Sequence, residues 1–139
     1  MTSKRAAALL ALADRVDRGD GDLRDLEIDV AVLALGFFVI PPRYDGGRVG
    51  YGYINPNGQQ VIPGHGGSQL VPEFMRSIDA AATLVPEGWE YTFQNVNGYP
   101  EATLTNHTIQ RTAWSAAGTL PLSITAAALR AHAAQMGAV

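Results

Sequence analysis

Residues 89–98 read WEYTFQNVNG, and they carry the clearest secondary-structure signal in the chain. Aromatic side chains alternate with polar ones through Trp89, Tyr91 and Phe93, which is typical of a strand with one buried face. The Asn-Gly pair that ends the stretch favours a tight turn into a second strand over residues 101–109. We therefore predict a β-hairpin whose aromatic side chains share one core with three leucines of the flanking segments, Leu84, Leu122 and Leu129.

Helical patterns lie on both sides of this hairpin. Residues 3–18 and 22–35 repeat apolar side chains at intervals of three and four, and glycines at 19 and 21 separate the two segments. A third helix is predicted to begin at the N-cap Ser77 and to stop before Pro86. A fourth has Pro121 in its first turn, where a missing N–H costs little.

A second hairpin is predicted over residues 49–62, where the apolar period changes to two. An Asn-Pro-Asn-Gly turn joins its strands, and a glycine-rich loop follows. Hairpins form antiparallel sheet, so the order of elements predicts an α+β fold. We expect a single domain over residues 1–139, built as a layered α/β/α sandwich with helices at both termini. The hairpin and loop at about 43–69 are expected to protrude from it.

Composition excludes several classes of function. The net charge is −3 and the chain has no cysteine, which argues against generic nucleic-acid binding, disulfides and thiolate metal sites. The longest apolar stretch, residues 30–42, is too short to cross a bilayer, and residues 6–13 are too short and alanine-rich for a signal peptide. We therefore expect a cytoplasmic protein with no membrane partner. Arginine supplies nine of the ten basic residues, which indicates a GC-rich bacterial or phage gene.

Two segments carry a family resemblance. Residues 72–89 read PEFMRSIDAAATLVPEGW, and residues 120–131 read LPLSITAAALRA. Both segments resemble the phage ABA sandwich domain family, whose members carry Ser-(aliphatic)-Asp-Ala-Ala followed by Leu-Val-Pro-Glu-Gly-Trp, and close with Ala-Ala-Leu-Arg-Ala. The resemblance implies a small phage or prophage protein with a three-layer fold and implies no common chemistry. This chain departs from the family in its tyrosine-rich hairpin and glycine loop, residues 44–69.

The residues offer no complete catalytic or metal-binding constellation. The three histidines, at 65, 107 and 132, lack the spacing of a metal site, so we expect no metal and no cofactor. Residues 64–68, GHGGS, resemble an esterase oxyanion loop, but the Gly-x-Ser-x-Gly nucleophile motif is missing. A surface loop is the simpler interpretation. A small hydrolase using His65 and Ser68 is kept as an alternative.

One cluster exceeds what a plain fold requires. Tyrosine and arginine dominate binding hot spots, and several fall within about two dozen residues of a glycine-rich segment. The candidate binding residues are Arg43, Tyr44, Arg48, Tyr51, Tyr53 and His65. The alternative is that the tyrosines face the core.

These observations favour a non-enzymatic accessory protein from a phage or prophage that acts by binding. Its partner is expected to be a host or phage protein, or a small ligand, and counter-defence by occluding a host protein or sequestering a small signal fits this role. A minor virion or assembly component is the alternative. A homo-oligomer is expected, most simply a two-fold dimer.

A double substitution tests the tyrosine cluster. If Tyr51 and Tyr53 contact a partner, replacing both with serine abolishes association and barely shifts the melting temperature. Association is measured by analytical ultracentrifugation and stability by thermal unfolding. If the double variant unfolds, the tyrosines belong to the core and the cluster is not a recognition surface.

Overall fold

The computed structural model of the chain describes residues 4–19, 21, 23–35, 38–40, 50–54, 60–61, 69–70 and 73–136. Within them, four helices and seven strands follow one another. Their bounds are α1 (Lys4–Arg18), α2 (Leu23–Leu35), β1 (Phe38–Ile40), β2 (Gly50–Ile54), β3 (Gln60–Val61), β4 (Gln69–Leu70), α3 (Ile78–Ala82), β5 (Glu90–Val96), β6 (Tyr99–Asn106), β7 (Arg111–Ser115) and α4 (Leu120–Gln135). The α+β class, the antiparallel sheets and the helices at both ends of the chain are confirmed.

The predicted hairpin around Asn97-Gly98 forms as β5 and β6. The register runs from Glu90 opposite Thr105 to Val96 opposite Tyr99. Both turn residues have positive φ, 53° at Asn97 and 85° at Gly98, which is the type I′ geometry that an Asn-Gly pair favours.

The predicted second strand over residues 101–109 is wrong at its end, because β6 stops at Asn106 and a third strand follows. The Asn106 side-chain oxygen accepts hydrogen bonds from the backbone N–H groups of Thr108, at 2.9 Å, and Ile109, at 3.2 Å. This local bonding competes with continued strand and reverses the chain. Gln110 completes the turn with a φ of 54°, and β7 returns antiparallel to β6.

A second sheet is built around β2. Its first residues pair antiparallel with β1 on one side and β4 on the other, and its last residues pair with β3. The β2–β3 pairing confirms the predicted hairpin. Most of the segment 43–69 lies outside the described residues, so its protrusion stays a prediction.

Helix α4 is the centre of the fold. It packs against α1, α3, β6 and β7, and nine of its residues are buried: Ser123, Ile124, Thr125, Ala126, Ala127, Ala128, Leu129, Ala131 and Ala133. Most of these side chains are small, which lets neighbouring elements approach its backbone closely. The buried hydroxyls are hydrogen-bonded, since Thr125 donates to the Phe74 carbonyl at 3.2 Å and Ser123 accepts from the Ala117 N–H at 2.8 Å.

The helix starts follow the sequence signals. Ser77 caps α3 as predicted, because its Oγ accepts from the Ala80 N–H at 3.1 Å. Thr119 caps α4 in the same way, and Pro121 lies in the first turn of α4. These caps set the directions in which α3 and α4 leave their loops.

The sheet β5–β6–β7 has an inner face that turns toward α4. Alternation places Ala102, Leu104, Ala113 and Ser115 on that face, and all four are buried. Helix α4 contacts β6 and β7, so the inner face is best covered there. The packing therefore leaves β5 at the less protected edge.

The predicted shared core is confirmed except at Tyr91. Leu84, Trp89 and Leu129 are buried, and Phe93 and Leu122 are partly buried against the same cluster. Tyr91 is 58% exposed, so its prediction as a core residue is wrong. Its register opposite Leu104 does place it on the inner face, but that face is not covered at the β5 edge. There it stacks on Phe93, with ring centroids 4.8 Å apart.

The contrast between two aromatic residues tests this description. Trp89 is 6% exposed, so Trp89→Ala should lower the free energy of unfolding by about 3–5 kcal/mol. Tyr91→Ala removes mainly an exposed stacking contact and should cost about 1 kcal/mol or less. Urea denaturation of both variants checks this. Equal costs would contradict the assignment of Tyr91 to the uncovered edge.

Candidate binding surface

The face of β5–β6–β7 turned away from α4 exposes large apolar side chains. We call it the outer face, and its residues are Glu90, Thr92, Gln94, Val96, Tyr99, Glu101, Thr103, Thr105, Thr112 and Trp114. Tyr99 is 68% exposed, Trp114 is 52% exposed and Val96 is 39% exposed. Tyr99 and Val96 lie opposite each other, and Trp114 lies opposite Thr103 on the neighbouring strand pair, so the outer face is the candidate binding surface of this sheet.

The rest of the outer face is polar. Threonines 103 and 112 lie beside Trp114, whereas Val96 and Glu101 lie beside Tyr99, and the carboxylates of Glu90 and Glu101 are the charged groups. The Trp114 indole N–H donates to Glu101 at 2.7 Å, which fixes the orientation of the ring. Since the outer face has no arginine or lysine, it suits contact with protein and offers no cation to a phosphate backbone.

Arg130 on α4 holds the edge of the sheet against α1. Its guanidinium donates to the Trp114 carbonyl at 3.1 Å, to Asp14 at 2.9 Å and to Asp17. Ser115 of β7 also donates to Asp17. Burial acts to lower the pKa of Arg130, but the hydrogen bonds and charges of Asp17 and Asp14 outweigh it and raise that pKa. Arg130 therefore stays charged and links three elements.

A cavity of about 290 Å³ lies beside this linkage, between β7, α1 and α4. We call it the β7 groove, and its lining residues are Leu10, Arg111, Thr112, Ala113, Trp114, Arg130 and Ala134. Its volume is at the small end of the range for ligand pockets. Leu10 and Ala134 make part of the lining apolar, and two guanidinium groups make part of it cationic.

The two described histidines, His107 and His132, each contact one neighbouring group of the fold. His107 is exposed, and its Nε2 lies 3.1 Å from the Oε2 of Glu90. His132 donates from Nε2 to the Leu84 carbonyl at 2.9 Å. Burial lowers the pKa of His132 against the opposing effect of this hydrogen bond, and the charge of Arg5 lowers it further. Among the described residues, no group of three His, Asp or Glu side chains could hold a metal ion.

The predicted binding residues are only partly located. Arg43, Tyr44, Arg48 and His65 lie outside the described residues. Tyr51 and Tyr53 lie in β2, where Tyr51 is opposite Val39 and Gln69, and Tyr53 is opposite Val61. Their role in binding stays a prediction.

Sequence reasoning missed both the outer face and the β7 groove. The alternation in Thr112-Ala113-Trp114-Ser115 is a strand signal that could have located β7. This alternation shows that Trp114 and Ala113 lie on opposite faces of the strand. It does not show which of the two faces is buried. Register, which a single strand does not carry, decides the exposure of Trp114.

Comparison with protein families, with curated proteins and with solved structures finds no match to this chain. The resemblance to the phage ABA sandwich domain family stays a prediction. No helix within the described ranges is both long and apolar enough to span a membrane.

Two arginines test the linkage at the β7 edge. Arg130→Gln should lower the free energy of unfolding by about 2–3 kcal/mol, because charge-assisted hydrogen bonds are lost and two carboxylates remain close together. The matched control is Arg15→Gln, whose ion pair with Asp29 is half exposed and should contribute less than about 1 kcal/mol. Chemical denaturation measures both. Equal losses would contradict the central role of Arg130.

Proposed function

We propose that this chain is a non-enzymatic accessory protein of a phage or prophage that acts by binding another protein through its outer face. The observation that supports this most directly is the exposure of Tyr99 and Trp114 on one face of a three-stranded sheet. Tryptophan and tyrosine are the residue types that contribute most to protein interfaces. The polar side chains between and beside them, Glu101, Thr103 and Thr112, match the polar rim of such interfaces.

Contacts within the chain already hold part of the outer face, chiefly at Trp114. Trp114 is held at its indole by Glu101 and at its carbonyl by Arg130. Tyr99 follows the tight turn at Asn97-Gly98, which fixes the register of its strand. Side chains that are already held lose less conformational entropy on binding, so more of the contact energy contributes to affinity.

The biological setting rests on the sequence. The resemblance over residues 72–89 and 120–131 and the preference for arginine over lysine support a phage or prophage origin. Within that setting we propose action in the host cytoplasm, by occluding a host protein used in defence. The outer face is broad and open, which suits occlusion of a protein surface better than enclosure of a small molecule.

A paired set of variants tests the proposal. Tagged chain is used to capture proteins from a bacterial host lysate, and the captured partner is then purified and titrated against each variant by calorimetry. Tyr99→Ser combined with Trp114→Ser should weaken the affinity at least about tenfold, because it removes both exposed aromatic anchors. Thermal unfolding establishes that the double variant is folded.

The control is Ile78→Ser. Ile78 is an exposed hydrophobic residue on α3, which packs against α4 on the other side of the sheet. The affinity of this variant should equal that of the wild type. If Ile78→Ser weakens binding as much as the aromatic double variant, or if the double variant binds normally, the outer face is not the contact surface.

A further inference from the structure

Helix α1 is linked to the β7 edge of the sheet by side-chain hydrogen bonds. Helix α4 contacts β6 and β7, whereas α1 packs along α4 and contacts β7 through the hydrogen bond between Asp17 and Ser115. Arg130 joins Asp14 and Asp17 of α1 to the carbonyl of Trp114, so α1 lies on the β7 side of α4. The β7 groove is the space that this arrangement leaves beside the edge strand.

The backbone of β7 presents hydrogen-bonding groups to this groove. Strand β7 pairs with β6 and with no other described strand. The Trp114 carbonyl points away from β6, because it accepts from Arg130. In an antiparallel ladder every second residue shares that direction, so the N–H and carbonyl of Thr112 also point outward. Because β7 pairs with β6 alone among the described strands, these outward groups have no partner strand there, which makes this edge a template for another strand.

The two arginines of the groove differ in their availability. Arg130 is already bonded to two carboxylates. Arg111 is exposed, and its guanidinium makes no ion pair or hydrogen bond with the described residues. A guanidinium beside free backbone groups and an apolar wall is complementary to an extended chain that carries a carboxylate.

We propose that the β7 groove binds an extended acidic peptide segment of a partner protein, which adds a strand to β7 and pairs a carboxylate with Arg111. Strand addition of this kind takes affinity from backbone hydrogen bonds and specificity from the side chains beside the edge. The groove and the outer face share Thr112 and Trp114. Tyr99 belongs to the outer face and does not line the groove, so a substitution at Tyr99 distinguishes failure of one proposal from failure of the other.

A second copy of the chain fits this edge less well. Pairing β7 with its symmetry equivalent would bring the second copy's helices under the joined sheet. Helix α1 of the first copy already lies on that side, linked to the β7 edge through Arg130 and Ser115. A peptide has no helix layer of its own, so it can occupy the edge without displacing α1.

Fluorescence anisotropy with labelled peptides tests the proposal on the full chain. The probes are nine-residue peptides in which valine and threonine alternate. In one set, a single glutamate replaces each threonine in turn. In the matched set, glutamine takes the place of that glutamate. At least one glutamate peptide should bind the wild type about tenfold or more tightly than its glutamine counterpart, because the carboxylate bonds to a guanidinium. If no glutamate peptide shows this preference, the proposal is overturned.

Two variants separate the parts of the site. Arg111→Gln should remove the preference for glutamate. Thr112→Pro should abolish peptide binding, because it deletes an outward N–H and leaves the bonds to β6 in place. Circular dichroism and thermal unfolding establish whether both variants are folded. If Thr112→Pro does not fold, peptides with N-methylated alternate backbone amides are tested against the wild type instead. These peptides should fail to bind, because they lack the N–H groups that would pair with β7.

Tyr99→Ser, on the outer face, should bind the peptides as the wild type does. This control keeps the two proposals distinct. If Tyr99→Ser loses the protein partner but still binds the peptides, the defect lies in the outer face alone. A preference for glutamate that survives Arg111→Gln would overturn the groove proposal. So would a concentration-dependent dimer in sedimentation that Thr112→Pro abolishes, because that result assigns the edge to a second copy.

Discussion

Burial of α4 is the constraint on which the other elements depend. A helix that is surrounded by two helices and a sheet can be accommodated only if its side chains are short on the crowded faces, and α4 meets this with alanines at 126–128, 131 and 133. Its polar side chains are placed where they find partners. The hydroxyls of Ser123 and Thr125 bond to backbone groups of other segments, so their burial carries little penalty.

Arg130 helps to orient α1 against α4, because its guanidinium bonds to Asp14 and Asp17 of α1. It connects residues more than a hundred positions apart in sequence, from Asp14 near the start of the chain to its own place in the last helix. Because the guanidinium also bonds to the Trp114 carbonyl, the helix pair is aligned with the edge of the sheet. Arg130 thus lines the β7 groove and also bonds to the backbone of Trp114, a residue of the outer face.

Local patterns predicted much of the fold because they depend on neighbours in sequence. The turn at Asn97-Gly98, the cap at Ser77 and the proline in the first turn of α4 are all decided within four residues. The period of β5 correctly placed Tyr91 on the inner face. It could not show that α4 stops short of β5, since the width of the covering layer is a property of distant segments.

The candidate binding surface was harder to predict for the same reason. The side chain of Trp114 is exposed because its strand lies in a sheet whose second face stays open, and no pattern within residues 111–115 states this. From residue type alone, the sequence predicts binding residues in the tyrosine-rich segment 43–69, because tyrosine and arginine are common in interfaces. Residue type does not show where these side chains lie in the fold. The binding role of that segment stays a prediction. For Tyr99 and Trp114, the pairing of the strands decides that the side chains are exposed.

The placement of the two tryptophans has a spectroscopic consequence. Trp89 is enclosed by the core, whereas Trp114 faces solvent. Their indole emission therefore arises from an apolar and an aqueous environment within one chain. Quenching by a soluble agent such as iodide reaches the ring of Trp114 in the native state and reaches Trp89 only after the core opens. The chain thus contains two intrinsic reporters, one for events at its surface and one for the integrity of its interior.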